Sequence, residues 1–346
     1  MPDTRLEHWA QKLLDLSPAN RLLNVPEKSR QFIQIDAGGL AELEDRLCAG
    51  KTFRLKVAPP EGAGASDFLA KGFVCAKSGG DTEKEIQRRL TAIYRQSKTD
   101  MEEGGVNTLF LAAGFLRWTD PKTKKSCRAP ILLVPLALER ASVADGVKIS
   151  RRDEDTSANA TLLELLRSVF GMVIPGAENP PADDSGIDVP AYLDLFAQAV
   201  AGREGWGVEK EAAIGCFSFA KFAMWNDMTA RADALNAHPL VKHLVSGGGS
   251  FTDGIAPPAS ATGSLFCPAA ADSSQLAAVA WSAAGKTFVL HGPPGTGKSQ
   301  TITNIIAHNL AEGRRVLFVS EKKAALDVVK RRLDKAGLSP FCLELH

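Results

Sequence analysis

The stretch "FVLHGPPGTGKSQTITNIIAHNL", Phe288–Leu310, constrains this chain more than any other. Within it Gly292–Ser299 satisfies G-x-x-x-x-G-K-[ST], after a short apolar run and before a helical pattern. Each residue type in such a loop has a physical task. Gly295 and Gly297 let backbone N–H groups approach and wrap phosphate oxygens, and the following helix adds the positive end of its dipole. Lys298 is placed between the β- and γ-phosphates, and the Ser299 hydroxyl is placed to ligate Mg²⁺. The motif therefore predicts a nucleotide site built from Gly292, Pro293, Pro294, Gly295, Thr296, Gly297, Lys298, Ser299 and Gln300, with Lys298 and Ser299 nearest the chemistry. A glycine turn without a ligand is the bland alternative.

The pattern around the loop is regular. Thr287–Leu290 reads as a strand and Lys298–Ala311 as a helix with Ile302, Ile305, Ile306 and Leu310 inward, stopped at Gly313. A second strand at Val316–Val319, a helix at Lys323–Ala336 and a third strand at Phe341–Leu345 follow. Alternating β and α units with four-residue apolar strands predict a parallel sheet covered on both faces.

Residues 246–264, "SGGGSFTDGIAPPASATGS", have the composition of a flexible connection and divide the chain. The expected organisation is an α+β accessory domain over 1–245, a linker over 246–264 and the first part of a P-loop domain over 265–346. In the first part, strands are expected at Gln31–Ile35, Thr52–Val57, Phe68–Cys75 and Pro130–Leu138. Helices are expected near Glu83–Met101, Thr161–Phe170, Ala191–Ala201 and Phe219–Leu235. Trp9, Trp118, Trp206, Phe217, Phe219 and Trp225 sit in apolar patterns and read as core rather than as stacking platforms.

With 41 Lys and Arg against 40 Asp and Glu, attraction to nucleic acid has to come from a local patch. Eight basic and three acidic residues between Arg314 and Lys335 supply a candidate, against the alternative of a solvated helix face. The six cysteines form no C-x-x-C pair, and no His stands at metal-ligand spacing, which argues against zinc or a disulfide framework. The Asp120/Glu139 pair lacks a lysine after Glu139, where Arg140 stands, so a nuclease is disfavoured. Asp3 and Glu7 occupy the place of a leader's basic and apolar regions, and the longest mostly apolar run, Ala129–Leu138, is too short for a bilayer. A cytoplasmic chain without membrane contact is expected.

The segments "ADSSQLAAV", "FVLHGPPGTGKSQTITNIIAHNLAEGRRVLFVSEKKAALDVVKRRL" and "FCLELH" resemble the start of the first, RecA-like motor domain of superfamily 1 DNA/RNA helicases. "WAQKLLDLSPANRLLN", "FLAAGFLRW", "RAPILLVPLAL" and "GCFSFAKFAMWNDM" are similar to an N-terminal domain of unknown function found in large bacterial helicases of that group. The resemblance implies ATP as the nucleotide, with Gln275 reading the adenine edge. It also implies nucleic-acid contacts from Ser320 and the neighbouring Lys322 and Lys323, with Glu321 departing from the small polar residue of relatives. The implied partners are single-stranded DNA or RNA and the remaining motor domains, on the same or a companion chain.

The expected motor is incomplete in this chain. No apolar run after Ser299 ends in Asp-Glu, so binding of ATP with scant hydrolysis is expected. The alternative is a nucleotide-binding interaction module that does not hydrolyse. A P-loop kinase or transport ATPase is disfavoured by Gln275 and "SEKKAALDVVKRRL".

Overall fold

The computed structural model describes residues 4–26, 29, 31–36, 38–57, 68–77, 80–139, 147–247, 249, 251–256, 264–293 and 295–345. Its strands are β1 (Phe32–Asp36), β2 (Phe53–Lys56), β3 (Phe73–Ala76), β4 (Leu109–Thr119), β5 (Ser126–Glu139), β6 (Val147–Arg151), β7 (Ser157–Ala158) and β8 (Gly207–Cys216). Its helices are α1 (Thr4–Leu13), α2 (Leu40–Cys48), α3 (Glu83–Thr99), α4 (Ala160–Phe170), α5 (Val189–Val200), α6 (Ala220–Ala230), α7 (Ala232–Ala237), α8 (Pro239–Ser246), α9 (Ser273–Ala283), α10 (Lys298–Ala311) and α11 (Lys323–Lys335). The chain divides into two compact units, residues 1–100 with 107–235, and residues 101–106 with 236–346.

In the first unit the sheet runs β4-β8-β1-β3-β2-β6-β5-β7, and β4 also pairs with β5. That added pairing closes a circuit, so the long central strands leave no free edge for other chains. Every pairing is antiparallel except β2 with β3. The unit therefore combines α and β elements, as expected, and its sheet is mixed.

β4 and β5 are buried on both faces, which is why "LFLAAGFLRWT" and "APILLVPLAL" are almost continuously apolar instead of alternating. One core packs Leu43 and Leu47 of α2 and Ile86, Leu90 and Ile93 of α3 against the sheet. A second packs α4 and α5 around Trp118, Tyr192 and Phe196. Helix starts follow local chemistry: Thr82 and Glu85 form a reciprocal capping box on α3, and the Asn159 and Asp188 side chains cap α4 and α5.

The structure corrects several boundaries. Residues 68–72 form turns rather than strand, and the helix expected over Phe219–Leu235 breaks at Arg231 into α6 and α7. Trp118 and Phe217 are core, whereas Trp9 on α1 is partly exposed. Asp120 caps the turn after β4, accepting from the N–H and hydroxyl of Thr123, whose hydroxyl holds its carboxyl below the usual range.

The second unit holds the glycine-rich loop. Here the expectation of three paired strands is not met: 287–290, 316–319 and 341–345 form no ladder among the described residues. Parallel pairing of four-residue segments returns few hydrogen bonds for each crossover closed. Two of the segments instead hold to the helices through one side. Phe318 and Cys342 pack with Ile306, Val329 and Leu333, while their neighbours Leu317, Val319 and Leu343 are 78%, 74% and 82% exposed. That alternation is the period of an extended strand with one face covered.

Candidate nucleotide-binding site

α10 begins on Gly297, whose φ of 76° lies in the left-handed region, and Gly295 before it has φ 87°. Neither conformation suits a residue with a Cβ. At Gly297 space forbids one as well, since a Cβ would lie 2.7 Å from Gln275 Nε2 and 2.9 Å from Gln300 Oε1. Gln300 and Thr301 donate their N–H groups to the Gly297 carbonyl, which leaves the N–H groups of Lys298 and Ser299 ahead of the helical ladder. Unengaged donors at a helix N-terminus are what a phosphate requires.

The Lys298 ammonium is folded into the loop. It donates to the Pro293 carbonyl at 2.9 Å and to that of Gly292. Its aliphatic stem fills the space a side chain at Gly292 would need, 2.7 Å from an ideal Cβ. Thr296 closes the turn with a hydroxyl donated to the Pro293 carbonyl at 2.8 Å. Pro294 lies outside the described residues. Ser299 sits one residue into α10, its carbonyl accepting from the Thr303 hydroxyl at 2.7 Å. Open space around Gly295, a lysine on the loop and a hydroxyl on the first turn fit a triphosphate with Mg²⁺.

Gln275 is brought onto this loop from a distant element. It stands in the first turn of α9, where Asp272 accepts its N–H at 2.9 Å and its own Oε1 accepts the Asp272 N–H at 3.2 Å. The Ser274 hydroxyl, together with that N–H, holds the Asp272 carboxyl below the usual carboxylate range. With Oε1 engaged, Gln275 Nε2 donates to the Thr296 carbonyl at 3.1 Å. A D-x-x-Q capping box was readable at 272–275; the contact with Thr296 was not.

The inner side of α10 is more polar than its apolar spacing suggests. Asn304 is fully buried and exchanges two hydrogen bonds with the backbone of Ala269. His308 Nδ1 accepts from the Phe266 N–H at 3.3 Å, and Asn309 reaches the Ser282 hydroxyl at 3.0 Å. These residues fasten α10 to α9 and to the segment before it. The connecting sequence is also engaged: Asp253 accepts from the Thr287 N–H, and Lys286 donates to the Ile255 carbonyl at 2.7 Å.

The expected nucleic-acid residues lie apart from the loop in sequence and share one turn. The Ser320 hydroxyl accepts the Lys322 N–H at 3.3 Å, and Lys323 opens α11. Of the basic residues that follow, Lys330 pairs with Asp334 at 3.1 Å and Glu344 at 3.2 Å. Hydrogen bonds to Asp334 and then Glu344 raise its pKa.

A family described only as a protein of unknown function, DUF4011, matches residues 12–166, and an AAA domain matches residues 270–341. One chain joins a DUF4011 domain to an AAA domain. The uncharacterized ATP-dependent helicase MG140 of Mycoplasma genitalium is 58% identical over 46 residues, which are 13% of this chain and 4% of that protein. DNA polymerase alpha-associated DNA helicase A of Schizosaccharomyces pombe is 37% identical over 68 residues, 19% of this chain and 10% of that protein. DNA-binding protein SMUBP-2 of Mesocricetus auratus is 38% identical over 69 residues, 20% of this chain and 7% of that protein. The chain thus aligns with only a small part of each curated relative's length. No solved structure matches. No helix among the described residues is long and apolar enough to cross a membrane.

Proposed function

We propose that this chain is the ATP-binding part of a superfamily 1 ATP-dependent DNA/RNA helicase or translocase. The observation that carries the reading is Gln275 Nε2 on the Thr296 carbonyl. A glutamine held by a capping box against the carbonyl of a glycine-rich loop supports the reading of an adenine edge beside that loop. Lys298 would exchange its two carbonyl acceptors for phosphate oxygens, and the Ser299 hydroxyl would hold Mg²⁺. Mg·ATP, once bound, supplies the phosphoanhydride to be cleaved. The exposed apolar side chains at Val289, Leu317, Val319 and Leu343 support a RecA-like sheet covered on its second face. Composition supports a linker within 246–264 between an accessory domain and this ATP-binding part.

The chemistry of cleavage is less well provided. The acidic residues after Ser299 are Glu312, Glu321, Asp327, Asp334 and Glu344, none ending an apolar run as Asp-Glu. Asp334 and Glu344 are held by Lys330. This favours binding with little turnover in residues 1–346, and it keeps a non-hydrolysing nucleotide-binding module as the second reading. Calorimetry with Mg·ATP should give a site that Lys298→Ala weakens by about ten- to a hundredfold, the loss of charge-assisted hydrogen bonds. Phosphate release should stay near the Lys298→Ala blank with or without single strands. Unchanged ATP affinity in Lys298→Ala would overturn the assignment, and Lys298-dependent turnover would reject the non-hydrolysing reading.

A further inference from the structure

The first unit contains a cavity of about 650 Å³, the size of a small-molecule site. Its walls are Leu13, Leu22, Ile93, Phe217 and Phe222, and its polar lining includes Thr161, Arg21 and Lys221. One wall is the turn "SPANRLLN", and it is built rigidly. The Leu23 carbonyl accepts from Trp118 Nε1 at 2.8 Å, the Leu22 carbonyl from Asn159 Nδ2 at 2.6 Å, and the Val25 N–H donates to the Arg128 carbonyl at 2.7 Å.

Thr161 is 2% exposed, lines this cavity from the first turn of α4, and its hydroxyl has no hydrogen-bond partner. Leaving a buried hydroxyl unpaired costs about 1–3 kcal/mol. A valine would fill the same volume without that cost. The other polar groups of the cavity are spoken for or point to charge. Asp15 accepts from the Ser17 N–H, and Asp100 accepts from Gln96 at 2.6 Å and Thr108 at 2.5 Å. Arg21 bonds only to the neutral Gln31, and neither Arg21 nor Lys221 has a carboxylate partner among the described residues. The cavity therefore combines apolar and aromatic walls, one unanswered hydroxyl beside a helix N-terminus, two exposed cations, Arg21 and Lys221, without an ion-pair partner among the described residues, and the carboxylates of Asp15 and Asp100, which are already hydrogen-bonded to neutral donors.

An apolar ligand would leave Thr161 unpaired and the cations unused. A simple anion would leave the apolar walls wet. A flat heteroaromatic ring carrying a phosphate meets all three demands. We propose that this cavity binds one nucleotide unit, its base against Phe222 and the leucines with an edge on the Thr161 hydroxyl, and its phosphate on Arg21 and Lys221. The unit is either a free 5′-mononucleotide or one residue of a single strand, which offer the same chemistry.

The test uses the full chain and equilibrium dialysis with labelled ATP, labelled 5′-mononucleotides and a twelve-residue single strand. Unsubstituted chain should bind ATP at a site weakened about ten- to a hundredfold in Lys298→Ala, and 5′-mononucleotide at a separate site weakened about tenfold in Thr161→Val and untouched by Lys298→Ala. Thr161→Val should keep or raise the thermal midpoint, because it removes an unpaired polar group; a purely structural threonine would lower it. Arg21→Gln with Lys221→Gln should weaken the same site and flatten its salt dependence. A strand that competes with the mononucleotide identifies the polymer as the source, and one that does not identifies the free nucleotide. ATP binding that falls with Lys298→Ala beside mononucleotide binding that is absent or untouched by Thr161→Val overturns this second site and leaves the P-loop reading standing. The reverse pattern overturns the P-loop reading alone.

Discussion

Asn304 and Ala269 exchange two hydrogen bonds, each 2.9 Å, as two paired backbone residues would. Asn304 is fully buried on α10, the helix that begins on the glycine-rich loop, and Ala269 lies three residues before the Asp272 that caps α9. One side chain thus sets the spacing between the two helix starts that carry Gln275 and Lys298.

Replacing Asn304 by alanine removes both bonds and leaves the Ala269 N–H and carbonyl unpaired. Destabilisation of the second unit by about 1–3 kcal/mol is expected, since both orphaned groups belong to the half-buried Ala269. Hydrogen exchange should show it as faster opening of α9 and α10. Protection equal to the unsubstituted chain would mean that water replaces both bonds without loss.

On the proposed reading, Gln275 serves the base and Lys298 the phosphates. Gln275→Ala loses the contact with Thr296 and the group proposed to face the adenine edge while Lys298 stays in place. ATP affinity should fall toward that for GTP, with GTP affinity changed little, whereas Lys298→Ala should weaken both together. Competition of a labelled ATP analogue by ATP and GTP measures the ratio directly. A preserved preference for ATP in Gln275→Ala would place adenine recognition elsewhere.

How much of this was legible in the sequence differs from element to element. The glycine-rich turn and the start of α10 were legible, because glycines at positive φ before a helix are local demands. β1, β2 and β5 were visible from their apolar and β-branched composition. β4 and β8 were not foreseen as strands: "LFLAAGFLRWT" carries small residues and a glycine, and "GVEKEAAIGC" has the charged run Glu209–Glu211 and two glycines, so only their long antiparallel pairing reveals them. The Gln275–Thr296 and Asn304–Ala269 contacts bridge 21 and 35 residues, and no local pattern encodes such partners. The cavity around Thr161 escaped for the same reason, since its walls come from α1, α3, α4, α6, β8 and one turn.

The basic segment opening α11 is not uniform. Lys330 is already paired with Asp334 and Glu344, so its charge is largely spent within the fold, while Lys322 and Lys323 stand beside the Ser320 turn. Glu substitutions at Lys322 and Lys323 should abolish salt-sensitive binding of single strands, and Lys330→Gln should leave it within about twofold, as expected for a cation that releases no counterion. Fluorescence anisotropy across a salt series distinguishes the two. Equal losses for both sets would spread the interface over the whole helix.

Glu44 on α2 provides a pH signature for the first unit. It is fully buried, accepting from the Ile187 N–H at 3.3 Å and from Cys48 Sγ at 3.2 Å. Burial raises its pKa above the ordinary glutamate value of 4.5, and Asp45 and Asp183 nearby push the same way. A carboxyl whose pKa is higher folded than unfolded binds its proton more tightly in the folded state, so ionisation opposes folding. Its contribution is most favourable below pH 4.5 and is lost as the pH rises through the raised folded value. Glu44→Gln keeps the shape and an acceptor oxygen without the charge. The variant should therefore unfold at higher temperature than the parent at neutral pH, and the difference should close as the pH falls to 4.5. Thermal melts of the two proteins across that range read this difference, and a Glu44→Gln midpoint below the parent at neutral pH would mean that the ionised carboxylate is stabilised by its two donors.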